Sequence, residues 1–242
     1  MSAEQADLAR EVSRYPWYHT LELADGVVTE GMFDHRPAVD RYLVPGDLSG
    51  MRCLDVGTMD GFWAFEMERR GAAEVLATDV GEVDDLDWPP RWRERIEPTL
   101  DETKEARFQL AHTALGSSVQ RIERSVYGLG PDLGEFDLIF CGDLLVHLKD
   151  PITAIQRMHS VCRGSAIVCN PVKRFRFLER RAMAQFDGID EFQWWLLNEA
   201  ALRRMMLATG FARVEVGPSF ELPARGAGSW KGLRAVMRGF VA

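Results

Sequence analysis

The chain has 242 residues, with 37 acidic against 29 basic side chains and a formal charge of −8. An apolar share of 46% with 27% charged residues suits one soluble-type domain with modest attachments and excludes a wholly apolar membrane protein. The acidic balance argues against broad electrostatic capture of nucleic acid, since phosphate binding is driven by Lys and Arg, although a local basic patch stays open.

In chain order, residues 1–47 stand apart as an N-terminal cap or lid, and residues 48–242 read as one domain of alternating strands and helices. No stretch reaches the roughly 20 uncharged apolar residues of a spanning helix. The first residues show no basic start followed by an apolar run, so a cytoplasmic location is expected. Met51 to Val56 is a short apolar run ending at Gly57, as a buried parallel strand should be. Phe62 to Arg70 has helical spacing with Gly71 as its stop, and Glu74 to Thr78 is a second strand closing on Asp79. Phe108, Ala111 and Leu115 mark a helix, and Val119 to Val126 is a third strand candidate. Phe136 to Cys141 is the clearest strand. Pro151 opens a helix striped by Ile152, Ile155, Met158 and Cys162, with Ser165 to Cys169 strand-like behind it. Asn198 can cap a helix through Met206, Phe211 to Val216 is a strand, and Gly232 to Arg238 closes the chain's pattern as a last strand with no helix before it. This rhythm predicts an α/β, Rossmann-like sheet of seven strands, mostly parallel, with the last strand antiparallel. Cys53, Cys141, Cys162 and Cys169 form no CxxC pair and read as reduced core thiols.

In such a sheet the ligand lies beyond the carboxyl ends of the strands. There the chain carries Asp55-Val56-Gly57-Thr58-Met59-Asp60-Gly61, a DxGxxxG turn leading into a helix, and Asp79, where a carboxylate can accept both hydroxyls of a ribose. Met59 stands where a dinucleotide fingerprint needs its second glycine, and Asp60 would repel a diphosphate. A sulfonium and an ammonium group prefer acidic neighbours. S-adenosylmethionine is therefore the expected cofactor.

These segments, with Ala77-Thr78-Asp79, Phe136 to Asp143 and the closing hairpin, resemble class I SAM-dependent methyltransferases. Tyr15-Pro16-Trp17-Tyr18-His19, followed by Gly26 and Thr29-Glu30-Gly31, is similar to the branch holding tRNA wobble-uridine carboxymethyltransferases and many small-molecule and sugar O-methyltransferases. The resemblance implies that Gly57 and Gly61 shape the methionine pocket, Asp55 lies near the amino group, and Asp79 with the following Val80 meets the ribose. It further implies that Val126 and Tyr127 flank the adenine and that Cys141, Gly142 and Asp143 line the side facing the acceptor.

For a hydroxyl acceptor the enzyme must remove a proton. His147, six residues past Cys141, is the expected general base, and His19 on the lid is its rival. Asp143 either orients His147 or binds Mg²⁺ together with a sugar diol; its structural reading is a helix cap. Trp17, Tyr18, Trp194 and Trp195 either fold over the acceptor or fill core. The run Lys173-Arg174-Phe175-Arg176, with Arg180-Arg181, reads as the solvated face of an amphipathic helix, with a grip on RNA phosphates as the alternative. The expected function is O-methylation of a small molecule or saccharide. A tRNA wobble-uridine methyl- or carboxymethyltransferase and a non-catalytic SAM-binding module are the alternatives, nucleic acid and membrane are not expected as partners, and a homodimer is left open.

Overall fold

A computed structural model describes residues 2–94, 102–189, 191–226 and 231–242. A central sheet holds the strands in the order β10 (Arg213–Val216), β12 (Lys231–Phe240), β7 (Cys162–Pro171), β6 (Phe136–Gly142), β3 (Arg52–Val56), β4 (Glu74–Asp79), β5 (Gln120–Glu123). Strands β3 to β7 pair in parallel, while β12 runs antiparallel to both β7 and β10. An eighth strand, β11 (Phe220–Pro223), pairs with β12 outside this path. The predicted fold class therefore stands, with one strand more than the sequence pattern suggests.

The helices α2 (Phe62–Arg69), α4 (Lys104–Leu115), α5 (Pro151–Ser160) and α6 (Glu199–Ala208) flank the sheet, and α3 (Pro90–Arg93) is a single turn. Their ends obey local chemistry. Asp150 accepts the Thr153 amide at 2.9 Å ahead of Pro151, and Asn198 accepts the Ala201 amide at 2.9 Å, each satisfying an amide that the first helical turn leaves open. The parallel strands are apolar on both faces because helices cover both. Leu54, Ile139 and Cys141 pack on one face, and Cys53, Leu138 and Phe140 on the other.

The N-terminal 47 residues contain α1 (Ala3–Val12) and a hairpin of β1 (Glu22–Ala24) and β2 (Val27–Val28) around Asp25-Gly26. They share a core with the sheet: Leu21, Phe33, Tyr42 and Val44 are buried in one cluster with Trp63 and Phe140. Trp17 belongs to that core, its indole donating to the Val12 carbonyl at 2.9 Å, so it does not cover the acceptor region.

A second covering element follows β7. The segment 172–198 leaves the C-terminal edge of the sheet and forms a hairpin of β8 (Ala184–Phe186) and β9 (Trp195–Leu197). The Trp194 amide donates to the Val146 carbonyl at 3.1 Å, and the Trp195 indole to the Lys149 carbonyl at 2.9 Å. Residues Lys173 to Arg181 are not the amphipathic helix the sequence suggests. The Leu178 and Arg181 amides close short turns onto the Phe175 and Leu178 carbonyls, Asn198 Nδ2 donates to Arg181 O at 2.8 Å, and the segment is a non-helical, largely exposed loop. No described helix is long and apolar enough to cross a membrane.

Candidate active site

A cavity of about 190 Å³ opens at the carboxyl ends of β3, β4 and β6. Of the residues singled out from sequence, Asp55, Gly57, Asp79, Val80, Val126, Tyr127, Gly142, Asp143, His19 and His147 line it. Gly61 and Cys141 do not. Gly61 (φ 95°) starts α2 in a left-handed conformation, and a side chain there would collide with Phe65 and Phe108, so it is fixed by packing. Cys141 points to the opposite face of β6 from Phe140, as strand alternation requires, and is sealed in the core beside Leu54 and Val56, where burial raises its thiol pKa.

Each carboxylate in the site has its own partners. Asp55, 2% exposed, accepts from Thr58 Oγ1 at 2.7 Å and from the Ala64 amide at 3.1 Å on one oxygen. Burial lifts its pKa to about 6, outweighing those bonds. Asp79 Oδ2 accepts the Met59 amide at 2.8 Å, while Oδ1 accepts the Val80 amide at 2.8 Å and the buried Lys104 ammonium at 3.0 Å. A carboxylate offers about four lone-pair sites. Three are taken, so Asp79 as it stands has room for one further hydroxyl rather than two.

Asp60 is the residue the sequence misplaces. It does not line the cavity but sits behind it, fully buried, accepting the Tyr18 amide at 2.8 Å and the His19 amide at 3.1 Å and bonding His19 Nδ1. Arg107 Nε lies 3.5 Å from it. Burial alone would raise the Asp60 pKa; the opposed His19, Arg107 and the donated amides outweigh burial and lower it. His19 Nε2 makes no hydrogen bond to a described residue, and the ring lies on the cavity wall. Gly31 explains the precision of this placement: any side chain there would strike the backbone of His19 and Thr20.

His147 ends a short 3-10 turn, Leu145–His147, between rings rather than beside a carboxylate. Phe192 lies 5.2 Å and Trp88 6.0 Å from its imidazole, centroid to centroid. The Phe192 backbone favours the protonated ring, opposing burial, and Nδ1 is buried and makes no hydrogen bond to a described residue. Burial lowers its pKa to about 4, so it is neutral at pH 7 rather than titrating near neutrality as expected from sequence.

Asp143 does not orient His147. It adopts φ 52°, in the left-handed region, and turns its carboxylate to Arg234 on β12, whose Nε and Nη2 approach Oδ2 at 2.7 and 2.6 Å. Arg234 is 1% exposed, also donates to the Leu222 and Gly232 carbonyls, and lies over the Phe33 ring. This buried pair raises the Arg234 pKa, the attraction of Asp143 overcoming desolvation. Asp143 is also the residue expected to hold Mg²⁺, and here the surroundings do not fit: its neighbours are a guanidinium and the Cys169 thiol, and no cluster of three or more His, Cys, Asp or Glu suited to a metal occurs among the described residues.

A family model described as a methyltransferase domain matches residues 33–216. The chain belongs to this methyltransferase family. Solved structures with the same fold include the N-terminal domain of EvdMO1 in the presence of SAH and D-fucose, at TM-score 0.66 and 17% identity, covering 100% of this chain and 98% of that one. Another is the 1,6-didemethyltoxoflavin-N1-methyltransferase of Burkholderia thailandensis with S-adenosylhomocysteine bound, at TM-score 0.53 and 16% identity over 80% of this chain and 72% of that one. The magnesium protoporphyrin IX methyltransferase of Synechocystis, also with SAH, has TM-score 0.52 and 15% identity over 99% and 84%. A curated relative, the tRNA U34 carboxymethyltransferase of Campylobacter hominis, is 30% identical over 115 residues, 47% of this chain but only 33% of that protein. The chain thus spans about a third of that relative's length. Its class I fold and family make this methyltransferase a user of S-adenosylmethionine.

The cavity suits that cofactor. The Asp55 carboxylate stands where positive charge would be stabilised, Asp79 retains an acceptor site, and Val126 and Tyr127 offer an apolar wall. Sequence reasoning missed Lys104, Arg234, Trp63, Trp88 and Phe192. Only the Trp88 and Phe192 neighbourhoods, rich in aromatics beside Asp87 and Trp194, offered a signal, and it was shared with ordinary core.

Proposed function

We propose that the enzyme transfers a methyl group to a hydroxyl of a small saccharide or polyol, with His19 as general base. The observation that carries this is the His19–Asp60 dyad: an imidazole on the cavity wall, tied through Nδ1 to a buried carboxylate, with Nε2 left to accept a proton. When bound, S-adenosylmethionine supplies a methyl group on a sulfonium that leaves as a neutral thioether. Asp55, Gly57, Asp79, Val80, Val126, Tyr127 and Gly142 hold it. His19 Nε2 removes the acceptor hydroxyl proton, and Asp60 keeps the ring in the Nδ1–H form and offsets the positive charge as the proton arrives. His147, neutral and caged by Trp88 and Phe192, forms an apolar-sided part of the cavity wall. Asp143 and Arg234 position the acceptor end by fixing the turn after β6. The sugar present with the EvdMO1 domain supports a saccharide acceptor over a planar one.

The test is transfer of radiolabelled methyl from S-adenosylmethionine across a panel of deoxysugars, polyols and bulk tRNA. Product on a sugar hydroxyl, lost in His19→Ala with S-adenosylhomocysteine still bound, supports the reading. Label in tRNA alone sinks it in favour of the wobble-uridine alternative, and retained cofactor binding with no acceptor turnover would leave a non-catalytic binding module.

A further inference from the structure

The loop 173–181 is chemically unlike the rest of the chain. Within nine residues it carries Lys173, Arg174, Arg176, Arg180 and Arg181 against the single carboxylate of Glu179, in a protein of net charge −8. These five cations are exposed and none forms an ion pair with a described residue; Lys173 Nζ donates to Gln185 Oε1 at 2.8 Å, and the Arg176 guanidinium lies 5.6 Å from the centroid of the Phe177 ring. The loop also holds Phe177 at 94% exposure with φ 66°, a left-handed conformation costly for a side chain with a Cβ. Folding does not reward this arrangement.

Nor is the loop a loose tail. Asn198 ties it down, donating to Arg181 O at 2.8 Å and accepting the Met183 amide at 3.0 Å, and the Lys173 amide bonds the Leu197 carbonyl at 2.8 Å. It springs directly from Pro171 at the carboxyl end of β7, next to the β6 end that supplies Gly142 and Asp143 to the cavity. The same covering segment places Phe192 on His147. Arg174, Arg176, Arg180, Arg181 and the outward Phe177 ring thus lie on the segment that continues β7 past the carboxyl end of the sheet, the end at which the cavity opens, outside the residues that line the cavity itself.

We infer that this loop binds the nucleoside diphosphate group of an acceptor whose sugar enters the cavity. Arginine forks match phosphate oxygens bidentately, and an exposed phenylalanine offers a stacking face for a base. A compact diphosphate fits better than a nucleic-acid strand. The basic stretch is short, and the facing wall carries Asp85 and Asp87, which would repel an extended polyanion. The inference names the acceptor class for the methyl transfer proposed above and rests on that reading.

Binding of UDP and of inorganic pyrophosphate, measured by calorimetry on the full chain, tests it without turnover. UDP should bind saturably and more tightly than pyrophosphate. Arg176→Gln/Arg180→Gln should weaken both by about 10-fold or more, the loss expected for charge-assisted bonds. Phe177→Ala should bring UDP down to the pyrophosphate level. All variants should bind S-adenosylhomocysteine like the wild type, which separates this loop from the cofactor site. Absence of saturable UDP binding, or equal affinity in the double variant, overturns the inference while leaving methyl transfer to free sugars standing. Tighter binding of a 20-nucleotide single-stranded RNA, with a steep fall in salt, would overturn it in favour of an RNA face.

Discussion

Two histidines face one cavity, and their settings are opposite. His19 comes from the N-terminal cap and is bound to a buried, ionised carboxylate that Arg107 Nε also approaches at 3.5 Å. His147 comes from the edge of β6 and is enclosed by aromatic rings, with Nδ1 hydrogen bonded to no described residue. Spacing from the nearest strand favours His147 as the base. Environment favours His19, because a base that must become charged needs a counter-charge, and an aromatic cage withholds one.

The comparison breaks first on turnover. His19→Ala should lower kcat by about 10²–10⁴-fold with little change in S-adenosylhomocysteine affinity, while His147→Ala should cost less and act mainly on KM. The reverse ranking in steady-state kinetics would return the base to His147. Asp60→Asn should fall between the two, since it keeps the shape and loses the charge.

The next contrast concerns what holds each wall. Behind His147 the turn after β6 is fixed by the Asp143–Arg234 pair, both members buried. Removing one partner of such a pair leaves an uncompensated charge and costs about 3–5 kcal/mol. Arg234→Met should therefore lower the urea midpoint markedly, and Arg234→Met/Asp143→Leu should recover part of the loss. A midpoint unchanged in the single variant would show that the pair is not a stabilising element.

Acid stability separates the cage from the cofactor turn. As pH falls from 6.5 to about 4, unfolded His147 takes up a proton while folded His147 does not, so this residue makes the protein less stable over that window. Asp55 acts in the opposite direction. Its folded pKa of about 6 lies above the ordinary aspartate value of 3.8, so between those values the folded state binds the proton and gains stability as pH falls. Each contribution is roughly 3 kcal/mol, and over most of pH 4–6 they offset one another. His147→Gln should make the wild-type profile rise toward acid, and Asp55→Asn should make it fall, each followed by denaturant titration from pH 4 to 7. Parallel profiles in all three proteins would refute the burial of both groups.

How much of this was readable from sequence differs between the same regions. The strands β3, β4, β6 and β7 announce themselves because parallel strands covered on both faces are continuous apolar runs, and the residues ending them follow at once. Asp55, Asp79 and Gly142 were legible for that reason. The hairpin β8–β9 was not, since its first strand is exposed throughout and carries no alternation. The β1–β2 hairpin carries a local signal, Asp25-Gly26 between apolar residues. Partnerships across the chain were the least legible. Asp60 lies 41 residues from His19, and Arg234 lies 91 from Asp143, so charge alone placed Asp60 beside the cofactor when the fold turns it toward the cap.

The smallest expected effect sharpens the cofactor side. Asp79 ends β4 on the cavity wall, where the proposed reading gives it the ribose, yet Lys104 occupies one of its oxygens from within the fold. If one hydroxyl bond is all that Asp79 offers, Asp79→Ala should weaken S-adenosylhomocysteine binding by only about 10- to 20-fold, the low end of the worth of one charge-assisted bond. Lys104→Met then becomes informative. It frees a lone pair on Oδ1 while the Met59 and Val80 amides still orient the carboxylate. Affinity should rise a few-fold, on the order of one hydrogen bond, even as the folded protein loses the stability of a buried pair. Opposite signs for ligand affinity and thermal midpoint in one variant would identify Lys104 as a competitor for the ribose site. A fall in both would mean that the ammonium instead holds Asp79 in its binding position, and the carboxylate works only as half of the pair.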